Sequence, residues 1–295
     1  HQRASQVFIL FVVLMLLIAC SPTLAATPPT LAATATSTRQ AEPTPLPTAT
    51  RAATPVACSE TEGSLVNATL PAAMLKYPLE VKIYLPPCYS AELAGGYPVV
   101  YMLHGMTDTN DQWISLGLTD TADRLITART IQPMVLVFPY EVNWQLSPDQ
   151  SGYGDAIVEV LIPWVEDHYN VCIGRDCRAI GGLSRGGNWA VFIGFNHWQL
   201  FNAIGAHSAP LFIGGLTNLR SAIRALPSPS DAPALTLDVG NKDENLSQVK
   251  EFEKTLTELH VAHDFHLNSG YHDDAYWSSH VEEYLLWYAA HLRKP

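Results

Sequence analysis

Two continuous apolar runs, Pro98-Val99-Val100-Tyr101-Met102-Leu103 and Met134-Val135-Leu136-Val137-Phe138, set the first expectation for the fold. A strand covered on both faces loses the polar alternation of a half-exposed one, so these runs point to a parallel sheet flanked by helices. Ahead of them, Glu80-Val81-Lys82-Ile83-Tyr84-Leu85 alternates as a half-buried strand should. Further strands are predicted at 178–182, 203–206, 234–239 and 263–267. Between them, helical spacing predicts helices at 119–127, with Thr119 or Asp120 as N-cap, and at 154–169, with Ile157, Val158, Leu161 and Val165 on one face. Three more are predicted from Ser184 or Arg185 to about Phe195, at 244–260 and at 278–291. Strands alternating with helices predict one α/β domain over 58–295, with a mostly parallel central sheet and helices on both faces.

The residues before this domain carry no such periodicity. Arg3 precedes an uncharged apolar run over 7–19, which as a helix spans only about 20 Å, short of a hydrocarbon core of about 30 Å. An export signal over 1–20 fits that length better than a membrane-spanning helix. The run closes on Leu17-Ile18-Ala19-Cys20, which resembles the bacterial lipoprotein cleavage box, and that resemblance implies lipidation at Cys20. Residues 21–57 are almost entirely Thr, Ala and Pro. They bury too little apolar surface to offset the entropy of ordering, so a disordered linker is expected.

The net charge of −11 is concentrated in the domain, because the first 57 residues carry Arg3, Arg39 and Arg51 against a single Glu42. An acidic body without a Lys/Arg stripe is poorly suited to phosphate backbones, which argues against nucleic acid as a partner. Besides Cys20 the chain has Cys58, Cys88, Cys172 and Cys177. In an exported domain four cysteines read as disulfides. The short turn between Cys172 and Cys177 favours that pair, leaving Cys58 with Cys88. Neither pair has histidines at zinc-ligand spacing, so no metal is expected.

Gly182-Leu183-Ser184-Arg185-Gly186-Gly187 carries the strongest chemical signal. It fits the G-x-S-x-G nucleophile elbow, with a predicted strand before it and a helix after it. Such a turn presents the serine hydroxyl at a helix N-terminus, where amide donors and the dipole favour developing negative charge. Arg185 reads as a solvated or wall residue that contributes its backbone N–H. The partner base is expected near the C-terminus. His272 sits in the loop Asn268-Ser269-Gly270-Tyr271-His272-Asp273-Asp274 after the last strand. His207 is a weaker rival, and His263 and His266 read as strand residues. Asp243 is the candidate acid because it lies where a strand has ended and a helix is about to start. Asp238, inside that strand, and Glu244 are its rivals. Leu103-His104-Gly105-Met106 follows the first apolar strand, where a second oxyanion donor is expected from the Met106 N–H alongside that of Arg185. Trp113, Tyr140 and Trp144 are candidates either for an aromatic pocket or for loop packing.

Together these residues resemble the esterase family of α/β-hydrolases that includes esterase D-type S-formylglutathione hydrolases, feruloyl esterases, enterochelin esterases and mycolyltransferases. The landmarks are Tyr101-Met102-Leu103-His104-Gly105 with Trp113, the Ser184 elbow, Asp243, and Gly270-Tyr271-His272 with Trp277. The tyrosine at 271 stands where many members have a second glycine. The resemblance implies the α/β-hydrolase fold, a triad of Ser184, Asp243 and His272, oxyanion amides at Met106 and Arg185, and chemistry without a cofactor. The expectation is an extracytoplasmic, lipid-anchored serine esterase acting on a small-molecule or polysaccharide ester. Acyl transfer by the same triad and non-catalytic surface binding are the alternatives.

Overall fold

The computed structural model describes residues 58–211 and 215–294; the expectations for 1–20, Cys20 and 21–57 lie outside the described residues. Among the described residues, eight strands form one sheet: β1 (Ser64–Leu70), β2 (Leu79–Leu85), β3 (Val99–Leu103), β4 (Val135–Pro139), β5 (Arg178–Leu183), β6 (Ala203–His207), β7 (Ala234–Gly240) and β8 (Asp264–Asn268). Their spatial order is β1-β2-β4-β3-β5-β6-β7-β8. β2 runs antiparallel to both β1 and β4, and every other neighbouring pair is parallel.

Alternation along the central strands divides the core into two layers. Val99, Tyr101 and Leu103 of β3 face one cluster with Ile157, Trp189 and Ile193, whereas Val100 and Met102 face another with Leu125, Leu285 and Tyr288. This is why the strand reads as unbroken apolar sequence: each face meets helices. Fully burying each large side chain is worth about 1.5–3 kcal/mol, so these layers hold the helices firmly to the sheet.

The helices carry the corrections. α1 (Leu118–Thr127) is entered from Gly117 at φ 86°, not capped by Thr119 or Asp120. The stretch predicted as one helix over 154–169 is a composite, α2: α-helical at Tyr153–Asp155, π-helical at Ala156–Leu161 and α-helical again at Ile162–His168. Pro163 offers no N–H and its ring crowds the carbonyl four residues back, which opens the preceding turn to the wider register. α3 (Arg185–Asn196) follows the elbow, and α4 (Gly215–Arg224) was not predicted. α5 (Leu246–Glu258) precedes β8. The last helix, α6 (Asp274–His291), begins four residues earlier than expected because the Asp273 side chain accepts the Tyr276 N–H at 2.9 Å as its N-cap. The strand β1 was also unpredicted; most of its residues are exposed, so it has no apolar face to read.

Cys58 and Cys88 are at bonding distance, with Cα atoms 5.8 Å apart, and so are Cys172 and Cys177, with Cα atoms 5.7 Å apart. Among the described residues, no helix is long and apolar enough to cross a membrane.

Candidate active site

Ser184, Asp243 and His272 lie just beyond the C-terminal ends of β5, β7 and β8, the usual place for a site in an open α/β fold. Ser184 follows β5 directly and has φ 50° and ψ −117°, a conformation that non-glycine residues rarely adopt. Its N–H donates to the His207 carbonyl at 2.8 Å, which locks the elbow to β6. The flanking glycines are sterically required. A Cβ on Gly182 would overlap the Gly186 backbone, and one on Gly186 would overlap the Leu103 and His104 carbonyls. α3 thereby starts hard against the end of β3.

Ser184 Oγ lies 2.9 Å from His272 Nε2, and His272 Nδ1 lies 2.9 Å from Asp243 Oδ2. Three loops that are far apart in sequence therefore meet in one chain of hydrogen bonds. The loops after β7 and β8 are tied together by backbone bonds from Asn241 to Asn268 and from Lys242 to Gly270. The His272 ring also packs edge-on against Trp277, 5.0 Å between centroids. Burial alone would raise the Asp243 carboxyl pKa. The hydrogen bond from His272, the Asn245 N–H and the charge of His272 outweigh it, and the carboxyl falls below its usual value. Gly105, Met106, Ser184, Arg185, His272 and Trp277 line a common cleft of about 460 Å³.

Most of the rivals have another place. His207 and Asp238 are buried and bonded to each other, Nδ1 to Oδ1 at 2.6 Å, in adjacent strands. Glu244 lies on the wall of the cleft. His263 sits just before β8, facing Glu253 at 3.5 Å, and His266 is exposed on the strand. Trp113 is a core residue whose indole N–H donates to the Leu103 carbonyl at 3.0 Å, and Tyr140 lines a small separate recess with Tyr77 and Tyr153.

Of the two readings for Arg185, the structure favours the wall residue over the solvated one, since it lines the cleft. Its side chain is buried, not solvated, because Glu141 at the end of β4 meets it bidentately, Nε to Oε2 at 2.6 Å and Nη2 to Oε1 at 2.5 Å. Nη2 also donates to the Leu146 carbonyl at 2.7 Å. No local pattern in the sequence announces a partner 44 residues away. Beyond Arg185 lies a second cavity of about 320 Å³, walled by Leu146, Val191, Phe192, Phe195, Leu211 and Leu219. It too was invisible in the sequence, since α4 supplies part of its wall.

Residues 72–292 match the family model described as Putative esterase. The chain belongs to that family. Among curated relatives of this family member, an esterase of Mycobacterium tuberculosis is 29% identical over 139 residues, covering 44% of this chain and 29% of the relative. An endo-1,4-beta-xylanase/feruloyl esterase of Xylanibacter ruminicola is 25% identical over 141 residues, again 44% of this chain but 19% of the relative. The chain thus matches less than a third of the length of either. Among solved structures, a ferulic acid esterase is 27% identical with a TM-score of 0.70, covering 78% of this chain and 98% of that one. The feruloyl esterase module of Clostridium thermocellum, solved with sinapinate, shares the fold at 16% identity and a TM-score of 0.67, covering 80% and 91%.

Proposed function

We propose that this family member is a serine carboxylic-ester hydrolase in which Ser184 is the nucleophile, His272 the general base and Asp243 the carboxylate that orients it. The observation that carries the reading is the unbroken sequence of contacts from Ser184 Oγ to His272 Nε2 and from His272 Nδ1 to Asp243 Oδ2, each 2.9 Å. His272 takes the serine proton as Oγ attacks the ester carbonyl, and Asp243 stabilises the imidazolium that forms. The N–H groups of Met106 and Arg185 hold the oxyanion. Such a donor is worth roughly 3–4 kcal/mol in the transition state. His272 then returns the proton to the leaving alcohol, and water releases the acyl group through a second tetrahedral intermediate.

The direction of proton return fixes how the ester lies. The leaving oxygen must be near His272, so the alcohol occupies the side of the cleft with Asn245, Gln248 and Trp277. The acyl group then points the other way, past Arg185, toward the 320 Å³ cavity with its aromatic and aliphatic walls. That volume sits at the small end of ligand pockets and suits a cinnamoyl-sized or short aliphatic acyl group. The relative titled feruloyl esterase and the ferulic acid esterase neighbour favour the same class. We place the enzyme outside the cytoplasm, anchored through a lipidated Cys20. The apolar run ending at Cys20 and the two bonded cysteine pairs support this location. Loss of membrane association in Cys20→Ser would be its signature.

The test is hydrolysis of p-nitrophenyl esters and methyl ferulate by wild type and Ser184→Ala, with fluorophosphonate labelling alongside. Activity and labelling are expected in wild type and absent from the variant. Equal activity in both would mean that another residue is the nucleophile.

A further inference from the structure

Glu141 joins the His104 side chain, through its backbone N–H, to the Arg185 side chain, through its carboxylate, in a buried network that the hydrolytic mechanism does not use directly. His104 Nε2 receives the Glu141 backbone N–H at 2.8 Å. An N–H can only donate, so Nε2 is unprotonated and the ring proton sits on Nδ1. Nδ1 lies 2.7 Å from the Gly105 carbonyl oxygen and must donate to it. The ring is therefore neutral, in keeping with burial, which pushes the His104 imidazole below its usual range.

The Gly105 carbonyl and the Met106 N–H belong to one planar peptide unit. Fixing the direction of the first fixes the second. The same carbonyl also accepts the Asp108 N–H at 3.3 Å, and the Gly105 N–H, in the preceding peptide unit, donates to Gln112 Oε1 at 2.7 Å, so the peptides on both sides of the Gly105 Cα are held. From the other end of the network, the Glu141 carboxylate grips Arg185 in a two-point contact, which sets the plane of the guanidinium as well as its position. Arg185 is the first residue of α3, and its guanidinium lies 5.9 Å from the Trp189 ring one turn on. Glu141, through its backbone N–H and its carboxylate, thus links the loops after β3, β4 and β5.

We infer that His104 and Glu141 are positioning residues that hold the two oxyanion amides, of Met106 and Arg185, in mutual register through a single hydrogen-bonded network. The inference rests on the ester-hydrolase reading of Ser184. It assigns no contact with substrate to either residue. Their effect is on where two N–H groups point when the tetrahedral oxyanion forms.

The test compares variants by kcat, KM and the inhibition constant of a trifluoromethyl ketone, which forms a tetrahedral oxyanion on the serine. Glu141→Gln is expected to lower kcat on p-nitrophenyl acetate about 10–100-fold, below the 10²–10³-fold typical of losing one donor outright. KM should stay within about twofold, because the ground-state ester needs the oxyanion amides less. The ketone should weaken by the same factor as kcat/KM. Glu141→Leu with Arg185→Met removes both charges and keeps the 185 backbone N–H, so it is the variant to use if the single one fails to fold. It too should be slow. His104→Asn, which can still donate at the Nδ1 position, should retain more kcat than His104→Ala.

Wild-type kcat and ketone affinity in the folded double variant would overturn the inference, and so would indistinguishable His104→Asn and His104→Ala. If wild type lacks hydrolysis that depends on Ser184, the hydrolase reading fails and the inference with it. If that hydrolysis is present and the variants match wild type, only the inference fails.

Discussion

His207 Nδ1 lies 2.6 Å from Asp238 Oδ1, a buried histidine–carboxylate pair separate from that of His272 and Asp243. Asp238 also accepts the hydroxyls of Tyr276 at 2.7 Å and Tyr284 at 2.9 Å, and Tyr288 reaches His207 Nε2 at 3.1 Å. Burial, and then the charge of Asp238, push the Tyr276 and Tyr284 phenols upward, so both stay protonated and able to donate. All three tyrosines belong to α6. The pair is thus the polar seam by which the last helix docks on β6 and β7, while the pair at Asp243 and His272 faces the cleft.

Substitution should separate the two pairs. Asp238→Asn leaves a buried set of donors facing an amide and is expected to cost about 3 kcal/mol of stability, judged from hydrogen bonds to a charged group. The kcat of its folded fraction should stay within a few-fold of wild type. Asp243→Asn should do the reverse, with kcat down by several orders of magnitude through loss of the oriented tautomer and a smaller loss of stability than in Asp238→Asn. Urea unfolding and esterase kinetics on the two variants check this. A large kcat loss in folded Asp238→Asn would assign that residue a share of the chemistry.

The sheet and the elbow were legible because each depends on local pattern. β3 and β4 are fully buried and therefore unbroken in their hydrophobicity, and the Ser184 turn needs glycines at fixed offsets. The loops of Asp243 and His272 were readable from their place after a strand. β1 was not, since most of its residues face solvent. In α4 the i, i+4 pair of Leu219 and Ile223 is a weak signal beside the Gly and Pro residues preceding it. Pro163 was the visible reason for the π-helical turn in α2. Glu141 could not be found at all. Its meaning comes only from meeting Arg185 across the end of β3, and a lone glutamate after a strand is usually a surface residue.

Acidification tests the state of Asp243. Its carboxyl lies below the usual 3.8 in the folded protein, so the native state binds fewer protons there than the unfolded chain does. The stability this carboxylate contributes is present above about pH 4 and is lost as pH falls through the depressed folded value. The stability of wild type minus that of Asp243→Asn should therefore decline between pH 5 and pH 3, as followed by urea melts at fixed ionic strength. A difference that grows on acidification would mean that burial, not the His272 contact, dominates this carboxyl.

The cavity beyond Arg185 makes the last prediction. If the acyl group extends past Arg185, lengthening it from acetyl should improve kcat/KM until the cavity is filled. Each added methylene can contribute up to about 0.8 kcal/mol. Ala222, on the α4 side of the wall, offers a site to fill that space without touching the cleft around Ser184. Ala222→Phe should leave p-nitrophenyl acetate hydrolysis within about twofold of wild type. It should reduce kcat/KM for p-nitrophenyl octanoate and methyl ferulate by tenfold or more, the equivalent of displacing about two buried methylenes. The comparison is internal, because the acetate rate reports any general damage to the triad or the fold. Equal losses on all three esters would place the acyl group elsewhere and return the cavity to the role of a packing defect between α3 and α4.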